Sequence, residues 1–370
     1  MSFKKRFQPL YFKAVDPSET GILLTIIRLL LWPVALCYGF AIRLRNLAYD
    51  RGWISPNCYN VPVISTGNIT TGGTGKTPFT AWIARLLQTN GLHPAILSRG
   101  YGADSKTGID DENQMLRDEL PDVPIIINAD RSAAAKEAIE RGGAEVMLMD
   151  DGFQHRRLAR DLDILLIDAT FPFGGGHLLP RGLLREPLSE LRRADIFVIT
   201  RSDLTDAHRI DEICSQLNAI APDKPVVKAR HRPVSLQTLS AREADSTVNN
   251  ISLAILADGS WAGFCSIGNP FAFKETLVRL CDSLPVFEAF PDHHHYNDEE
   301  IEEIRQKALR HRCRGVVTTT KDATKMRRLS QLIAPIPVYA LKVEMTIIED
   351  RGRLLACIES ATGRQLTPSN

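Results

Sequence analysis

Residues 61–66, VPVIST, run directly into GNITTGGTGKTPFTAWIARLL, which ends at Leu87. An apolar β-rich run, a glycine-rich turn and a helical apolar pattern, in that order, form a phosphate loop between a strand and a helix. The chemistry needs these residue types. Gly72, Gly73 and Gly75 let backbone N–H groups face phosphate oxygens, and the helix N-terminus favours anions. Lys76 reaches the β/γ oxygens, and the Thr77 hydroxyl suits Mg²⁺. Thr70 stands where the general pattern has its first glycine, but the core GGTGKT is intact.

The rest of the chain supplies a sheet for such a turn. PAILSR (94–99), VPIIIN (123–128), EVMLMD (145–150), DILLID (163–168) and DIFVIT (195–200) are short apolar runs separated by helical stretches. Such runs predict an α/β fold of the P-loop NTPase type with a mostly parallel sheet covered on both faces. Residues 61–230 are the expected nucleotide-binding domain. The rhythm lapses into a polar stretch at 231–250, read as a linker, and resumes with ISLAIL, GVVTTT and IPVYAL, so 251–370 reads as a smaller α/β domain.

Residues 1–60 differ from both. GILLTIIRLLLWPVALCYGFAI (21–42) is long enough to cross a bilayer, although Arg28 and Pro33 interrupt it. Lys4, Lys5, Arg6, Lys13, Arg28, Arg43, Arg45 and Arg51 face only Asp16, Glu19 and Asp50, leaving +5 in a chain whose net charge is +1. A basic, apolar segment suits an anionic cytoplasmic leaflet, with Arg28 snorkelling toward the interface; the alternative is a buried core helix. The near-neutral total excludes a sequence-independent nucleic-acid binder. The seven scattered cysteines contain no Cys-x-x-Cys pair, which points to a reducing compartment.

A phosphate loop calls for a carboxylate at a neighbouring strand end. MLMDDGFQH offers Asp150 and Asp151 for the metal, and ILLIDAT offers Asp168 as either a phosphate-site acid or a strand-end cap. VITRSD (198–203) and TTTKDATK (318–325) echo a guanine-reading segment, with a charged turn as the alternative. Asp110, Asp111 and Glu112 form either a base or a solvated acidic turn. His293, His294 and His295 are adjacent, so they point in different directions and are a poor joint metal set. Arg99, Arg181 and Arg185 sit among Gly and Pro, which suits an anionic ligand or an ordinary surface.

Taken together, GNITTGGTGKTP, SRGYG, DDGFQHRRLARD, LLPRGLLREP, IGNP, FPDHHHY and TTTKDATK resemble the tetraacyldisaccharide 4′-kinase family of lipid A biosynthesis, in order and across nearly the whole chain. The resemblance implies a lipid kinase that moves the ATP γ-phosphoryl group to the 4′-hydroxyl of a tetraacyl glucosamine disaccharide 1-phosphate. It would work with Mg²⁺ at the cytoplasmic face of the inner membrane, and no obligate protein partner is evident. It places the phosphate loop on Thr74, Lys76 and Thr77 and the paired acids on Asp150 and Asp151. Asp111 becomes the catalytic base, with His293 orienting it or raising its basicity. Glu186 becomes an additional metal or nucleotide-site acid, and Arg99, Tyr101, Gln154 and Arg185 contact substrate or phosphate. Asp110 and Asn113 replace the family's Gly and Pro, and Thr320 replaces a Glu. With Asp111 and His293 on different sequential domains, their pairing would require the domains to close on binding.

Two further readings accompany this one. A membrane-associated P-loop switch or assembly NTPase would pass phosphate only to water. A small-molecule kinase would use the N-terminal helix only structurally.

Overall fold

A computed structural model describes residues 10–11, 13–100, 111–239, 250–326 and 333–367. In chain order it contains α1 (Ile22–Asp50), β1 (Val63–Asn68), α2 (Lys76–Thr89), β2 (Pro94–Ser98), α3 (Asp111–Glu119) and β3 (Ile125–Ile127). Then come α4 (Arg131–Glu140), β4 (Val146–Asp150), β5 (Leu162–Asp168), β6 (Ile196–Thr200), α5 (Ala207–Ile220), β7 (Val226–Thr238) and β8 (Asn250–Ile251). The remainder are β9 (Ser260–Cys265), α6 (Pro270–Leu280), β10 (Ser283–Ala289), α7 (Asp298–Arg310), β11 (Gly315–Thr319), α8 (Thr320–Met326), β12 (Val338–Glu349) and α9 (Arg351–Thr362).

The chain divides into two compact units, and neither is one continuous stretch. The first holds 1–99, 122–230 and 347–370, and the second holds 100–121 and 231–346. This differs from the sequential domains read from the sequence. Helix α3 belongs to the second unit, where it packs against α8, and α9 returns to the first unit beside β1 and β5. The expected linker begins as strand, because β7 continues to Thr238; residues 240–249 lie outside the described residues.

In the first unit the strand order is β7-β6-β5-β1-β4-β2-β3, with every pair parallel. Strands β1, β4, β5 and β6 are buried along their whole length, which is why they read as unbroken apolar runs rather than alternating ones. The central strand β1 delivers the glycine-rich turn at its C-terminal end. Gly67 is required there by close approach, since a Cβ would stand 2.5 Å from that of Phe153. In the second unit β9 pairs in parallel with both β10 and β11, and β11 pairs in parallel with β12. The short β8 is antiparallel to β7.

Helix α1 is not a core helix. Its buried residues are Leu24, Ala35, Gly39 and Asn46, whereas Ile22 (83% exposed), Leu30 (70%) and Phe40 (69%) face outward. Arg28 does not need to snorkel. Its guanidinium donates to the carbonyls of Ala14 (2.8 Å), Asp16 (2.7 Å) and Glu19 (2.8 Å), so the preceding segment satisfies the charge locally.

Candidate active site

The phosphate loop adopts the conformation its glycines permit. Gly72 (φ 115°) and Gly75 (φ 89°) occupy left-handed backbone, and Gly75 is the N-cap of α2. The first half of the loop is pinned by a second segment. Thr71 N donates to Leu183 O at 2.8 Å, and Arg185 N donates to Ile69 O at 2.8 Å. The second half is fixed by Thr200 of β6, whose hydroxyl donates to Thr74 O at 2.9 Å. Thr74 Oγ1 is itself buried without a hydrogen-bond partner, a polar atom aimed at nothing in the protein.

Lys76 and the paired acids meet at this turn. Lys76 Nζ lies 3.4 Å from Asp151 Oδ1 and donates to Asn68 Oδ1 at 3.3 Å. Thr77 Oγ1 donates to Asp150 Oδ2 at 3.1 Å, and Thr80 Oγ1 donates to Asp150 Oδ1 at 3.0 Å. A hydroxyl and a carboxylate side by side at a helix N-terminus form the hard-oxygen set that Mg²⁺ prefers, so Thr77 and Asp150 fit the ion. Asp151 holds a different position, at φ 54°, where Arg185 Nη1 donates to both its carboxylate oxygens at 2.9 Å. Burial would raise this carboxyl, but Lys76 and Arg185 outweigh it and hold Asp151 far below the usual carboxylate range. Gln154 completes the cluster: its Oε1 accepts from Arg185 at 3.2 Å and its Nε2 donates to Asn68 O at 2.7 Å.

Glu186, expected as an additional metal acid, is elsewhere. It is fully buried between Arg45 of α1 and Arg193, both hydrogen-bonded to its carboxylate. A carboxylate at that depth is stable only if paired, and two guanidiniums occupy both its oxygens. Tyr38 adds a hydrogen bond to Arg185 O at 2.8 Å. Residues 183–186 therefore join α1 to the phosphate loop.

Asp168 proves to be a strand-end cap. It accepts from Thr170 N (3.0 Å) and Thr170 Oγ1 (2.7 Å) and pairs with Arg201, so the arginine of VITRSD is occupied by a structural acid. Arg99 is exposed at the end of β2. Its charge still reaches inward: burial first, then Arg131 and Arg99, lower His155 to about 4 and keep it neutral at pH 7. Tyr101 lies outside the described residues. Arg181 stands 3.3 Å from His177 beside a groove of about 300 Å³, which Trp32, Leu36 and Arg43 of α1 line from the other side.

The second unit assembles the other half of the expected chemistry within itself. Asp111 opens α3, and His293, held at φ 58° in the loop before α7, places Nδ1 3.6 Å from Asp111 Oδ2. The pair is therefore preformed, and no domain closure is required to make it. A capping box at Asn297 and Glu300 fixes the loop, and His294 Nε2 lies 2.7 Å from Glu300 Oε2, so His294 is a structural residue.

Two lysines of TTTKDATK converge on the same pair. Lys325 Nζ lies 2.9 Å from Asp111 Oδ2, and Lys321 Nζ donates to Glu112 Oε1 (3.2 Å) and Asp292 Oδ1 (3.1 Å). Burial pushes the Asp111 carboxyl up, but hydrogen bonds from His293 and Lys325 and the charges of both lysines bring it down to about 2. His293 moves the other way, raised chiefly by its hydrogen bond to Asp111. Lys325 is the site residue that sequence reasoning missed; its i, i+4 spacing from Lys321 on one helix is the signal that was present. Thr320, where the resemblance expects Glu, contacts Met115 Sδ at 3.9 Å.

A parallel sheet, a glycine-rich turn and a helix N-terminus carrying Lys76, Thr77 and an acid pair define a P-loop nucleotide-binding protein of the α/β class. The profile of the family described as tetraacyldisaccharide-1-P 4'-kinase, LpxK, matches residues 27–362, and the chain belongs to this family. The tetraacyldisaccharide 4'-kinase of Syntrophus aciditrophicus is 36% identical over 341 residues, covering 86% of this chain and 89% of its own. That of Halothermothrix orenii is 32% identical and covers 94% of this chain and 96% of its own. The crystal structure of LpxK from Aquifex aeolicus in complex with ATP is similar at a TM-score of 0.67 and 29% identity, covering 91% of this chain and 99% of that one.

Proposed function

We propose that the chain transfers the γ-phosphoryl group of ATP to the 4′-hydroxyl of a tetraacylated glucosamine disaccharide 1-phosphate at the cytoplasmic face of the inner membrane. The observation that carries this reading is the attachment of an outward-facing apolar helix to the phosphate loop through residues 183–186. A membrane-associated switch would carry such a helix too; the kinase reading is set apart by the Asp111–His293 pair, a base and its support suited to an acceptor hydroxyl. The groove beside α1 adds apolar walls at Trp32 and Leu36 and cations at Arg43 and Arg181, which suits an acylated anion.

In this reading Lys76, Gly72, Gly73, Thr74 and Gly75 hold the phosphates. Thr77 and Asp150 would hold Mg²⁺, which when bound draws off charge developing on the phosphate oxygens. Asp151 keeps Lys76 and Arg185 aligned. The 4′-oxygen attacks the γ-phosphorus, the bond to the β-phosphate oxygen breaks, ADP leaves, and Asp111 accepts the hydroxyl proton with His293 supporting it. A carboxylate held near 2 is a weak base. That suits a loose transition state, where aligning the hydroxyl matters more than removing its proton early.

Labelled γ-phosphate should appear in the lipid when the protein, Mg-ATP and tetraacyl disaccharide 1-phosphate are combined in detergent micelles. Label found only as inorganic phosphate would reject a lipid kinase in favour of a switch NTPase. The membrane part has its own measurement. Arg28 and its carbonyl partners make one side of α1 polar, so we infer that α1 lies along the surface instead of spanning it. Leu30→Asp with Phe40→Asp should reduce flotation with phosphatidylglycerol vesicles by at least about tenfold, since burying each side chain contributes about 1.5–3 kcal/mol; unchanged flotation would reject this role.

A further inference from the structure

We propose that Lys325 is a positioning residue for phosphoryl transfer, fixing the Asp111 carboxylate against His293 from a buried acid–hydroxyl support. The proposal rests on Asp111 being the catalytic base. Its basis is the wiring behind the lysine. Lys325 is 8% exposed, yet it carries a charge, and a buried ammonium persists only when surrounded by acceptors. Three are present: Asp111 Oδ2 at 2.9 Å, Ser266 Oγ at 3.2 Å and Asp322 Oδ1 at 3.7 Å.

The acceptors are not equivalent. Asp322 is fully buried and already saturated, accepting from Ser266 N (2.9 Å), Ser266 Oγ and Thr319 Oγ1 (2.8 Å). It acts as a fixed anchor at the start of α8. Asp111 sits at the first turn of its helix and takes its remaining contacts from His293. Lys325 thus links a rigid carboxylate to one that must be oriented. This is the arrangement by which an outer group sets the direction and charge of a reacting one. The other charged groups facing Asp111 are His293 from the loop before α7, Lys321 from α8 and Glu112 from its own helix. Lys321 cannot replace Lys325, because its ammonium is directed to Glu112 and Asp292.

Removing the lysine takes away a hydrogen bond and a charge that favour the Asp111 carboxylate, so protonation of Asp111 becomes easier and the acid limb of the pH–rate profile moves upward. Lys325→Met should lower kcat about 10- to 100-fold, leave KM for ATP within about twofold, and raise that limb by about one unit or more. Lys325→Arg, which keeps the charge, should restore kcat to within about threefold and return the limb to its original position. The measurement is steady-state lipid phosphorylation from about pH 3 to 9, a range that a limb raised from about 2 enters, with Asp111→Ala alongside. If Lys325→Met keeps its kcat and acid limb while Asp111→Ala is inactive, the proposal is overturned and the base assignment stands. Loss of activity with an unmoved limb and no rescue by arginine overturns it equally, as the mark of a lysine that only joins α3 to α8. An active Asp111→Ala removes the base assignment instead.

Discussion

Replacing Asp111 by alanine is expected to lower turnover by about 10²–10⁴-fold, the usual share of a general base, with ATP binding unchanged. Binding should survive because Asp111 belongs to the second unit, whereas Lys76, Thr77 and Asp150 belong to the first. The check is kcat for lipid phosphorylation together with titration of a fluorescent ATP analogue; full turnover in the variant would end the assignment. His293 provides a second readout. Its pKa is raised chiefly by Asp111, so its imidazole in Asp111→Ala should titrate at lower pH by nuclear magnetic resonance. Asp111 falls to about 2 in the folded chain, so its contribution to stability is complete above its unfolded value near 4 and is lost as the pH drops toward 2. His293 is raised, so its contribution is complete below about 6.5 and is lost as the pH rises through the folded value.

In the proposed reaction Lys76 is a preorganised cation for the transferring phosphate in a low-dielectric site, so Lys76→Ala is expected to cost about 10²–10³-fold or more in turnover. Folding should be preserved. Asp151, the acid that Lys76 contacts, keeps both its oxygens within 2.9 Å of Arg185 Nη1, so the substitution leaves no unpaired buried carboxylate. Thermal denaturation separates the two effects. The variant should melt near the parent temperature alone but lose most of the rise produced by Mg-ATP, since only ligand bound to the native state raises it. An undiminished rise would mean that Lys76 does not hold the phosphates.

The parts legible in the sequence were contiguous. Residues 61–87 carry their own strand, glycines and helix, so the turn at Gly72 and Gly75 follows from local backbone preferences. Asp150 and Asp151 were readable because they end an apolar strand that must lie beside β1. The resemblance led to Asp111 and His293, but the notion that they belong to different domains failed. Sequence order hides that α3 packs against α8 within one unit. Glu186 was misread for a similar reason. An acid beside arginines looks like a metal ligand until burial between Arg45 and Arg193 shows that its charge is already neutralised.

Sequence alone determined the α/β class, the phosphate loop and the apolar, basic N-terminal helix, because each depends on residue types within a single turn, strand or helix. Tertiary structure decided what required distant segments to meet. Arg28 is satisfied by carbonyls of residues 14–19, Asp168 serves as a cap, residues 183–186 tie α1 to the nucleotide loop, and Lys325 stands at Asp111. The physical reason is the same in each case: the fate of a charge depends on what surrounds it in space, and hydropathy and spacing along the chain do not carry that information.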